Sequence, residues 1–331
     1  MCKNTYKKIY AFVSAALLGL LIISCSQEPI FWAIDQEIKL TDPSIKGNVY
    51  SVVRSGSFLY TANGNIYKKP VKTERGWEKI SKPAGNAVYL AASNSHIYAL
   101  SAGGETVQVY ALNVTGGEWQ PVPGTSGKAD EIVLFDNKLT SASDSAAYVR
   151  VGGKVYKLNG PAPVSPLSEI TTNGAGNKTL AAAYIDGSES GSTAGDYFSD
   201  TRTFCSDGAR LYSADGKTIK KGTTNSDLTN TSVSTSETVT CLVYDEKENR
   251  LIAGTKKGLE EIKLNGSGVP QKAGLLGANA EAAFGESEIF SVACFGGEDN
   301  NAIYAGAGRT ASSKNNALWG YYPSRGNWNY E

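Results

Sequence analysis

Few side chains in this sequence are of the types that carry out catalysis or bind metals. The one histidine, His96, lies in the segment SNSHIYAL, where we expect a turn and an exposed ring. A catalytic triad or a histidine-based metal site would need this residue, and no GxSxG nucleophile motif accompanies it. A lone histidine is usually not catalytic, so the pattern predicts a surface side chain.

Cysteine usage indicates packing rather than chemistry. Beyond the N-terminal region the chain holds Cys205, Cys241 and Cys294, an odd number that leaves at least one thiol unpaired. Each lies in a strand pattern, where a thiol packs as a small apolar group. A single disulfide between two of them stays open, because an oxidising envelope would permit it. No CxxC or Cys/His spacing indicates a metal site.

Acidic residues are gathered in the Ser/Gly-rich insertion DGSESGSTAGDYFSD. Its carboxylates belong to Asp186, Glu189, Asp196 and Asp200, and FGGEDNN at 295–301 is similar in composition. Carboxylate oxygens can bind Ca²⁺, but this spacing matches no known calcium loop, and flexible Ser/Gly segments are commonly just solvated. The sequence therefore predicts no catalytic residue, no metal and no cofactor.

A further cysteine, Cys25, stands where the chain changes from apolar to polar. Three lysines and no acid precede an almost wholly apolar run at residues 9–23, and the small residue Ser24 comes directly before Cys25. This is the layout of a secretory signal. The run has about 15 residues, fewer than the ~20 that a membrane-spanning helix needs.

The segment Ile22-Ile23-Ser24-Cys25 resembles the bacterial lipobox, an aliphatic residue followed two positions later by a small residue and a cysteine. This resemblance covers about the first 25 residues. It implies that the Cys25 thiol receives a diacylglyceryl group, that a peptidase cuts between Ser24 and Cys25, and that the new amino group is acylated. Two or three acyl chains hold a protein firmly on a membrane. Ser26 stands where an Asp would retain a lipoprotein in the inner membrane, which favours the outer membrane. The alternatives are an ordinary signal peptide or an uncleaved anchor.

The balance of charge argues against several classes of partner. The chain has 32 basic and 32 acidic residues, and the signal removes three lysines, which leaves a net charge of about −3. That balance gives no electrostatic case for nucleic acid or for anionic lipid. Glycine and tyrosine are abundant, and Thr, Ser and Asn separate short apolar runs, which is typical of an all-β chain.

From Val49 onward the chain repeats a loose unit of about four short strands. An apolar strand precedes a turn, a strand of the form apolar-Tyr-x-Ala/Ser, and further strands, often with a tryptophan. Six units lie within residues 48–81, 86–123, 130–160, 179–222, 237–266 and 287–331. A period of roughly 40–60 residues is the signature of propeller blades. One such sheet cannot bury both faces alone, whereas blades packed around an axis can.

We therefore predict an all-β fold, a single closed β-propeller of six four-stranded blades with almost no helix outside the signal. Seven blades is the competing count, because residues 186–203 could hold extra strands. The predicted organisation is a signal peptide at 1–24, a lipidated N-terminus and tether at 25–47, and the propeller domain at 48–331. The segment EIKL at 37–40 could add a strand that helps to close the ring.

Trp77, Trp119 and Trp328 each follow a glycine turn and are predicted to open the last strand of a blade. This arrangement faintly resembles the Asp-box of sialidase-type propellers, Ser-x-Asp-x-Gly-x-x-Trp, although here the Asp is missing and the spacing is compressed. The resemblance implies blade architecture and nothing about sialidase chemistry. We interpret the three indoles as packing anchors between blades.

The function that we expect is a non-enzymatic binding or scaffold module, held in the cell envelope by its lipid, for a protein or glycan partner and not for nucleic acid. Loops on a rigid ring suit recognition, and the long segments 186–203 and 265–287 are expected to carry the contact. The alternative is a carbohydrate-active hydrolase or lyase, which would need acids that converge at one mouth of the ring. Fold alone does not decide between them.

Overall fold

The structure, a computed structural model, describes residues 45–331 except for 74–75, 130, 137–146, 152–153, 164–200, 208, 224–226, 285–286, 296–301 and 309–315. The predictions for the signal peptide, for Ser24 and Cys25, for the segment EIKL and for the four acids of the insertion lie outside the described residues. The described chain belongs to one compact unit that begins at Pro43.

The described residues form six four-stranded antiparallel sheets, in each of which the strands lie side by side in chain order. The first sheet contains β1 (Val52–Ser55), β2 (Phe58–Ala62), β3 (Ile66–Pro70) and β4 (Glu78–Ile80). The second contains β5 (Asn86–Ala92), β6 (His96–Gly103), β7 (Thr106–Asn113) and β8 (Gln120–Lys128). The third contains β9 (Ile132–Asp136), β10 (Ala147–Val151), β11 (Lys154–Asn159) and β12 (Ala162–Pro163).

The remaining strands continue the same pattern. The fourth sheet contains β13 (Phe204–Ser206), β14 (Leu211–Asp215), β15 (Thr218–Gly222) and β16 (Thr229–Ser234). The fifth contains β17 (Val239–Asp245), β18 (Arg250–Thr255), β19 (Leu259–Leu264) and β20 (Pro270–Leu275). The sixth contains β21 (Glu288–Cys294), β22 (Ile303–Gly308), β23 (Ala317–Tyr322) and β24 (Asn327–Tyr330). Helix is limited, among the described residues, to α1 (Ala280–Phe284) and a 3₁₀ turn at Thr201–Thr203, so the all-β prediction is confirmed.

Local sequence explains why these strands form. In β7 the apolar residues Val107, Val109 and Ala111 alternate with polar or half-buried ones and are buried, as a period of two requires. The pair Asp215-Gly216 joins β14 to β15, and Gly216 adopts a φ of +59°. That left-handed backbone suits glycine in a tight hairpin.

The core lies between neighbouring sheets rather than within any one of them. Five clusters of buried apolar side chains join the first sheet to the second, the second to the third, the fourth to the fifth, the fifth to the sixth, and the sixth to the first. The first strands of these same neighbours also contact one another. A four-stranded sheet with two apolar faces needs a neighbour on each side, and these clusters supply it.

The first described residues pair with the last sheet before the chain enters the first sheet. The amide of Leu318 donates to the carbonyl of Ile45 over 3.1 Å, and the amide of Gly47 donates to the carbonyl of Asn316 over 2.7 Å. Lys46 lies opposite Ala317 in an antiparallel bridge. Residues 45–47, at the end of the predicted tether, thus contribute to the contact between the two ends of the domain.

The fourth strands of the fourth and fifth sheets lie beyond the predicted units. We predicted that the fourth unit ends at Gly222 and that residues 265–287 form a long loop. The structure instead continues these sheets with β16 and β20, and places α1 before β21. β16 consists mostly of threonine, serine and asparagine, and β20 contains a proline and a glycine, so their sequences lack the apolar alternation that marks the inner strands.

Candidate functional site

Two tryptophans tie neighbouring sheets together in the same way. Trp119, directly before β8, donates its indole N–H to the carbonyl of Ser81 over 2.9 Å, and Ser81 directly follows β4 of the preceding sheet. Trp328, in β24, donates to the carbonyl of Leu276 over 2.7 Å, and Leu276 directly follows β20 of the preceding sheet. Each indole thus bonds to the residue just after the fourth strand of the sheet before its own.

Trp77 repeats this relation between the first sheet and the sixth. It precedes β4, and its indole N–H donates over 2.9 Å to Oε2 of Glu331, the residue that directly follows β24. The acceptor is a side-chain carboxylate instead of a backbone carbonyl. All three indoles pack in clusters that join two sheets, so the prediction that they are packing anchors is confirmed.

A buried ion pair accompanies Trp77 at the junction of the first and sixth sheets. Nζ of Lys69 lies 3.3 Å from Oε2 of Glu331, and both side chains are fully buried. The Lys69 ammonium also donates to the carbonyl of Thr73 over 3.0 Å, and Tyr322 donates its hydroxyl to Oε1 of Glu331 over 2.8 Å. Because each charge has several hydrogen-bond partners, the burial of this pair is tolerated.

Buried tyrosines in second strands reach forward to the next sheet. The hydroxyl of Tyr98 accepts a hydrogen bond from the amide of Gly160 over 3.0 Å, and that of Tyr212 donates to the carbonyl of Gly268 over 2.9 Å. Both glycines lie between the third and fourth strands of the following sheet. Burial raises the pKa of both phenols, so they stay protonated over the physiological range. Their bonds hold the sheets together and leave no phenolate for catalysis at neutral pH.

The acids that lie close together in the described chain are held by arginines. Arg250 is largely buried, and its Nε lies 2.9 Å from Asp245 while its Nη1 lies 2.6 Å from Glu261. Burial lowers the pKa of this guanidinium, but the hydrogen bonds with Glu261 and Asp245 outweigh it and raise the pKa. Asp207 makes a similar pair with Arg210 at 2.9 Å. Carboxylates fixed in this way link strands and turns within a single sheet.

The residues singled out by their chemistry are dispersed. Cys205, Cys241 and Cys294 are buried free thiols, which confirms that they pack as small apolar groups. Burial raises the pKa of the Cys294 thiol well above its ordinary value, and this thiol donates a hydrogen bond to the carbonyl of Tyr244. His96 begins β6 and is half-buried rather than exposed, because its ring stacks on Tyr98. This burial lowers the pKa of the His96 imidazole.

Within the described ranges, no group of three or more His, Cys, Asp or Glu side chains converges as metal ligands would. Over the same residues, no helix has the length and apolar character needed to cross a bilayer.

An open cleft of about 520 Å³ lies between β16 and β20, the outer strands of the fourth and fifth sheets. Residues 232–234 line one wall of the cleft, and residues 269–273 line the other. Val233 is buried in the cluster that joins the two sheets, so the cleft has an apolar base. Lys272 and Gln271 are exposed along its side. We call this feature the outer cleft.

Exposed apolar side chains mark the same strand. Val269, at the start of the outer cleft, is 37% exposed, and Leu275, at the end of β20, is 57% exposed. They are the large apolar side chains with the greatest exposure in the part of the chain that the structure describes. A concave surface with apolar, hydrogen-bonding and cationic groups is suited to bind a ligand.

Sequence reasoning located one wall of the outer cleft and missed the other. Residues 269–273 lie within the segment 265–287 that we expected to carry a partner contact, although they form a strand and not a loop. Residues 232–234 were not considered, because the fourth blade was predicted to end at Gly222. The run TNTSVS at 229–234, with its β-branched residues, was the available signal.

Comparisons with known sequences agree with the lipobox. Residues 1–152 match the TP013X lipoprotein family. An uncharacterized lipoprotein of Treponema pallidum (strain Nichols) is 29% identical over 174 residues, which are 47% of this chain and 45% of the relative. A second lipoprotein of that strain is 38% identical over 61 residues, 18% of this chain and 13% of the relative. The chain thus spans less than half the length of these relatives. The matches support a bacterial lipoprotein, held by lipid in the cell envelope, without a specific characterised function.

Among solved structures, the computationally designed Ika8 protein aligns with a TM-score of 0.43 at 12% identity, over 86% of each chain. The β-propeller domain of Cps50 (Swd1) from Myceliophteria thermophila aligns with a TM-score of 0.40 at 12% identity, over 85% of this chain and 88% of that one. The architecture described above rests on the sheets and their contacts in this chain.

Proposed function

We propose that the six sheets are blades of one closed β-propeller, and that this ring is a lipid-anchored, non-enzymatic binding or scaffold module for an envelope protein or glycan. The observation that carries the proposal is the outer cleft, a preformed surface between two rigid sheets. A rigid surface binds a partner with little loss of conformational freedom.

The contacts of the tryptophans support a ring. The indole of Trp119 bonds the second sheet to the first, that of Trp328 bonds the sixth to the fifth, and that of Trp77 bonds the first to the sixth. Blades around an axis would make such contacts, in which each sheet bonds to the sheet before it and the first sheet bonds to the last. The third and fourth sheets are the remaining neighbours, and residues 164–200 connect them along the chain. A seventh blade from this segment is the competing arrangement.

Ion pairing supports a binding role over hydrolysis. Glycoside hydrolysis uses two carboxyl groups on either side of a bound sugar. In the described chain Asp245 and Glu261 flank the guanidinium of Arg250, and Asp207 binds Arg210. These acids therefore neutralise arginines within the fourth and fifth sheets.

The lipid anchor is part of the same proposal. Cys25 carries the lipid, the peptidase cuts after Ser24, and Ser26 favours transfer to the outer membrane. In a Cys25→Ala variant we expect loss of labelling by radioactive palmitate and loss of processing to the mature chain. Labelling equal to that of the wild type would contradict the assignment of Cys25.

Photo-cross-linking tests the outer cleft in intact cells. A photoreactive residue at Gln271, in the cleft, should give a discrete adduct with an envelope component, and the same residue at Lys256, in the turn between β18 and β19 and outside the cleft lining, should not. Once that component is identified and purified, Val269→Asp should weaken its binding about tenfold, since a buried charge replaces an apolar contact.

The matched control for that variant is Lys256→Asp, which also introduces an aspartate on the fifth sheet but lies away from the cleft. Equal weakening by both variants, or an identical adduct pattern from both positions, would count against the cleft. Turnover of a glycan by the purified protein would overturn the non-enzymatic assignment.

A further inference from the structure

The net charge of the whole chain conceals an uneven distribution. Residues 45–85, which contain the first sheet, hold eight basic and two acidic residues, a net charge of +6, although the mature chain carries about −3. The basic residues are Lys46, Arg54, Lys68, Lys69, Lys72, Arg75, Lys79 and Lys82, and the acidic residues are Glu74 and Glu78. One sheet is therefore strongly cationic while the rest of the mature chain is acidic.

Three of these lysines lie in the outer half of the first sheet, and we call them the basic rim: Lys72, Lys79 and Lys82. Lys72, Lys79 and Lys82 are exposed. Lys68 is not part of the rim, because it is half-buried with its ammonium 3.7 Å from the centre of the Phe58 ring, and it pairs across the ladder with Glu78 on the face opposite Lys79. Lys82 donates to the backbone carbonyls of the 63–65 turn and of Gly85. Lys69 is not part of the rim, because Glu331 neutralises it in the interior.

The rim belongs to the sheet that the chain enters first after its lipid anchor. Nineteen residues separate Cys25 from Ile45, and even fully extended they reach at most about 65 Å. The chain arrives beside the first sheet, where the Nδ2 of Asn63 donates to the carbonyl of Lys46 over 2.6 Å. The membrane surface is therefore within reach of the rim whenever the lipid is inserted.

We infer that the basic rim docks on anionic lipid headgroups of the membrane that holds the Cys25 lipid. Exposed ammonium groups near an anionic bilayer are attracted over a distance of about one Debye length. A basic surface beside an acyl anchor adds a second, salt-sensitive contact to the hydrophobic one. Docking through the first sheet fixes the orientation of the ring and turns the outer cleft, which lies two sheet junctions away, from the membrane toward the envelope space.

Lysine footprinting on the full lipidated protein tests this inference directly. The protein is inserted into vesicles of phosphatidylcholine, with or without about a third phosphatidylglycerol, and the acetylation rate of each lysine is followed by mass spectrometry. On anionic vesicles at low salt we expect Lys72 and Lys79 to react about fivefold more slowly, which is the effect of one lysine at such a surface. Lys256 and Lys263 are exposed on the fifth sheet and should be unchanged.

Three further measurements decide what protects the rim lysines from acetylation. Salt at about 0.5 M should remove the protection, because it shortens the Debye length. In a Lys72→Gln/Lys79→Gln variant the remaining rim lysine, Lys82, should lose its protection. In a Lys256→Gln/Lys263→Gln variant, which changes the net charge equally, Lys82 should keep it.

Equal protection on neutral and anionic vesicles, or none on either, would overturn the inference. Protection by inorganic phosphate with neutral vesicles would indicate a site for a free anion and would also overturn it. Protection that requires an added envelope protein would assign the rim to a protein partner instead. None of these outcomes depends on the outer cleft, which is tested by its own cross-linking experiment.

Discussion

Polar side chains are buried at one junction between sheets and exposed to solvent at another. At the junction of the sixth and first sheets, Lys69 and Glu331 are fully buried, and indole and phenol groups complete their hydrogen bonds. At the junction of the fourth and fifth sheets, the outer strands separate into an open cleft that leaves Val269 and Lys272 in contact with solvent. The inner parts of both junctions are apolar.

The difference indicates where stability and recognition reside. The sixth and first sheets come from the two ends of the domain, so the backbone pairing of residues 45–47 with the sixth sheet and the side chains at this junction must hold them together. The fourth and fifth sheets are joined by the short segment 235–238. Their outer strands can therefore remain apart without separation of the sheets. We expect substitutions at the first junction to act on folding, and substitutions at the second to act on binding.

The largest effect should come from Glu331→Ala. The substitution leaves Lys69, the Trp77 indole and the Tyr322 hydroxyl without their buried acceptor. Breaking one side of a buried ion pair lowers the free energy of unfolding by about 3–5 kcal/mol. Urea unfolding of the detergent-solubilised lipoprotein, followed by tryptophan fluorescence, measures this change.

The control is Glu237→Ala, which removes a carboxylate from an exposed pair with Lys217 at 3.6 Å. It should change the free energy of unfolding by less than about 1 kcal/mol. A sharper test is the double variant Lys69→Met/Glu331→Leu, which removes both charges and should recover most of the lost stability. If Glu331→Ala unfolds at the same urea concentration as Glu237→Ala, the ion pair does not hold the ends together.

The second effect compares two tryptophans that make the same bond in different surroundings. Trp328→Phe removes a donor from the buried carbonyl of Leu276 and should lower the free energy of unfolding by about 1–3 kcal/mol. Trp119→Phe removes a donor from the solvent-accessible carbonyl of Ser81, which water can replace. Its effect should be less than about 1 kcal/mol. An equal loss in both variants would show that packing area, and not the bond, sets the contribution.

The sequence predicted these anchors better than it predicted the strands around them. Each tryptophan could be placed because a glycine turn and an indole form a local pattern. The acceptor in Glu331 could not be found, since it is more than 250 positions from Trp77 and only the contact between the first and sixth sheets brings them together. The strands β16 and β20 were missed because an edge strand has one face and one edge in water and needs little apolar alternation.

Alkaline pH should weaken contacts between neighbouring sheets through buried thiol and phenol groups. Burial raises the folded-state pKa of Cys294, of Tyr98 and of Tyr212 above their ordinary values of 9.0 and 10.0. The unfolded chain therefore releases these protons first, so the free energy of unfolding is constant below about pH 9 and falls as the pH rises beyond it. Urea unfolding between pH 8 and pH 11 measures the fall. In Tyr212→Phe, which removes a phenol that donates to Gly268, the fall should be shallower. An identical slope would exclude Tyr212 as a contributor.

The smallest effect on folding should come from the outer cleft. Val269→Ser and Lys272→Gln change side chains that are already exposed, and neither substitution opens a cavity in the core. Surface substitutions of this kind usually alter the free energy of unfolding by no more than about 0.5 kcal/mol. Val233→Ser, on the opposite wall but buried in the cluster between the sheets, provides the contrast and should lower that free energy by about 1–3 kcal/mol. Urea unfolding of the three variants therefore separates the exposed wall from the buried base. A loss in Val269→Ser as large as that in Val233→Ser would mean that the cleft closes in solution, and its residues would then be part of the core rather than a surface for a partner.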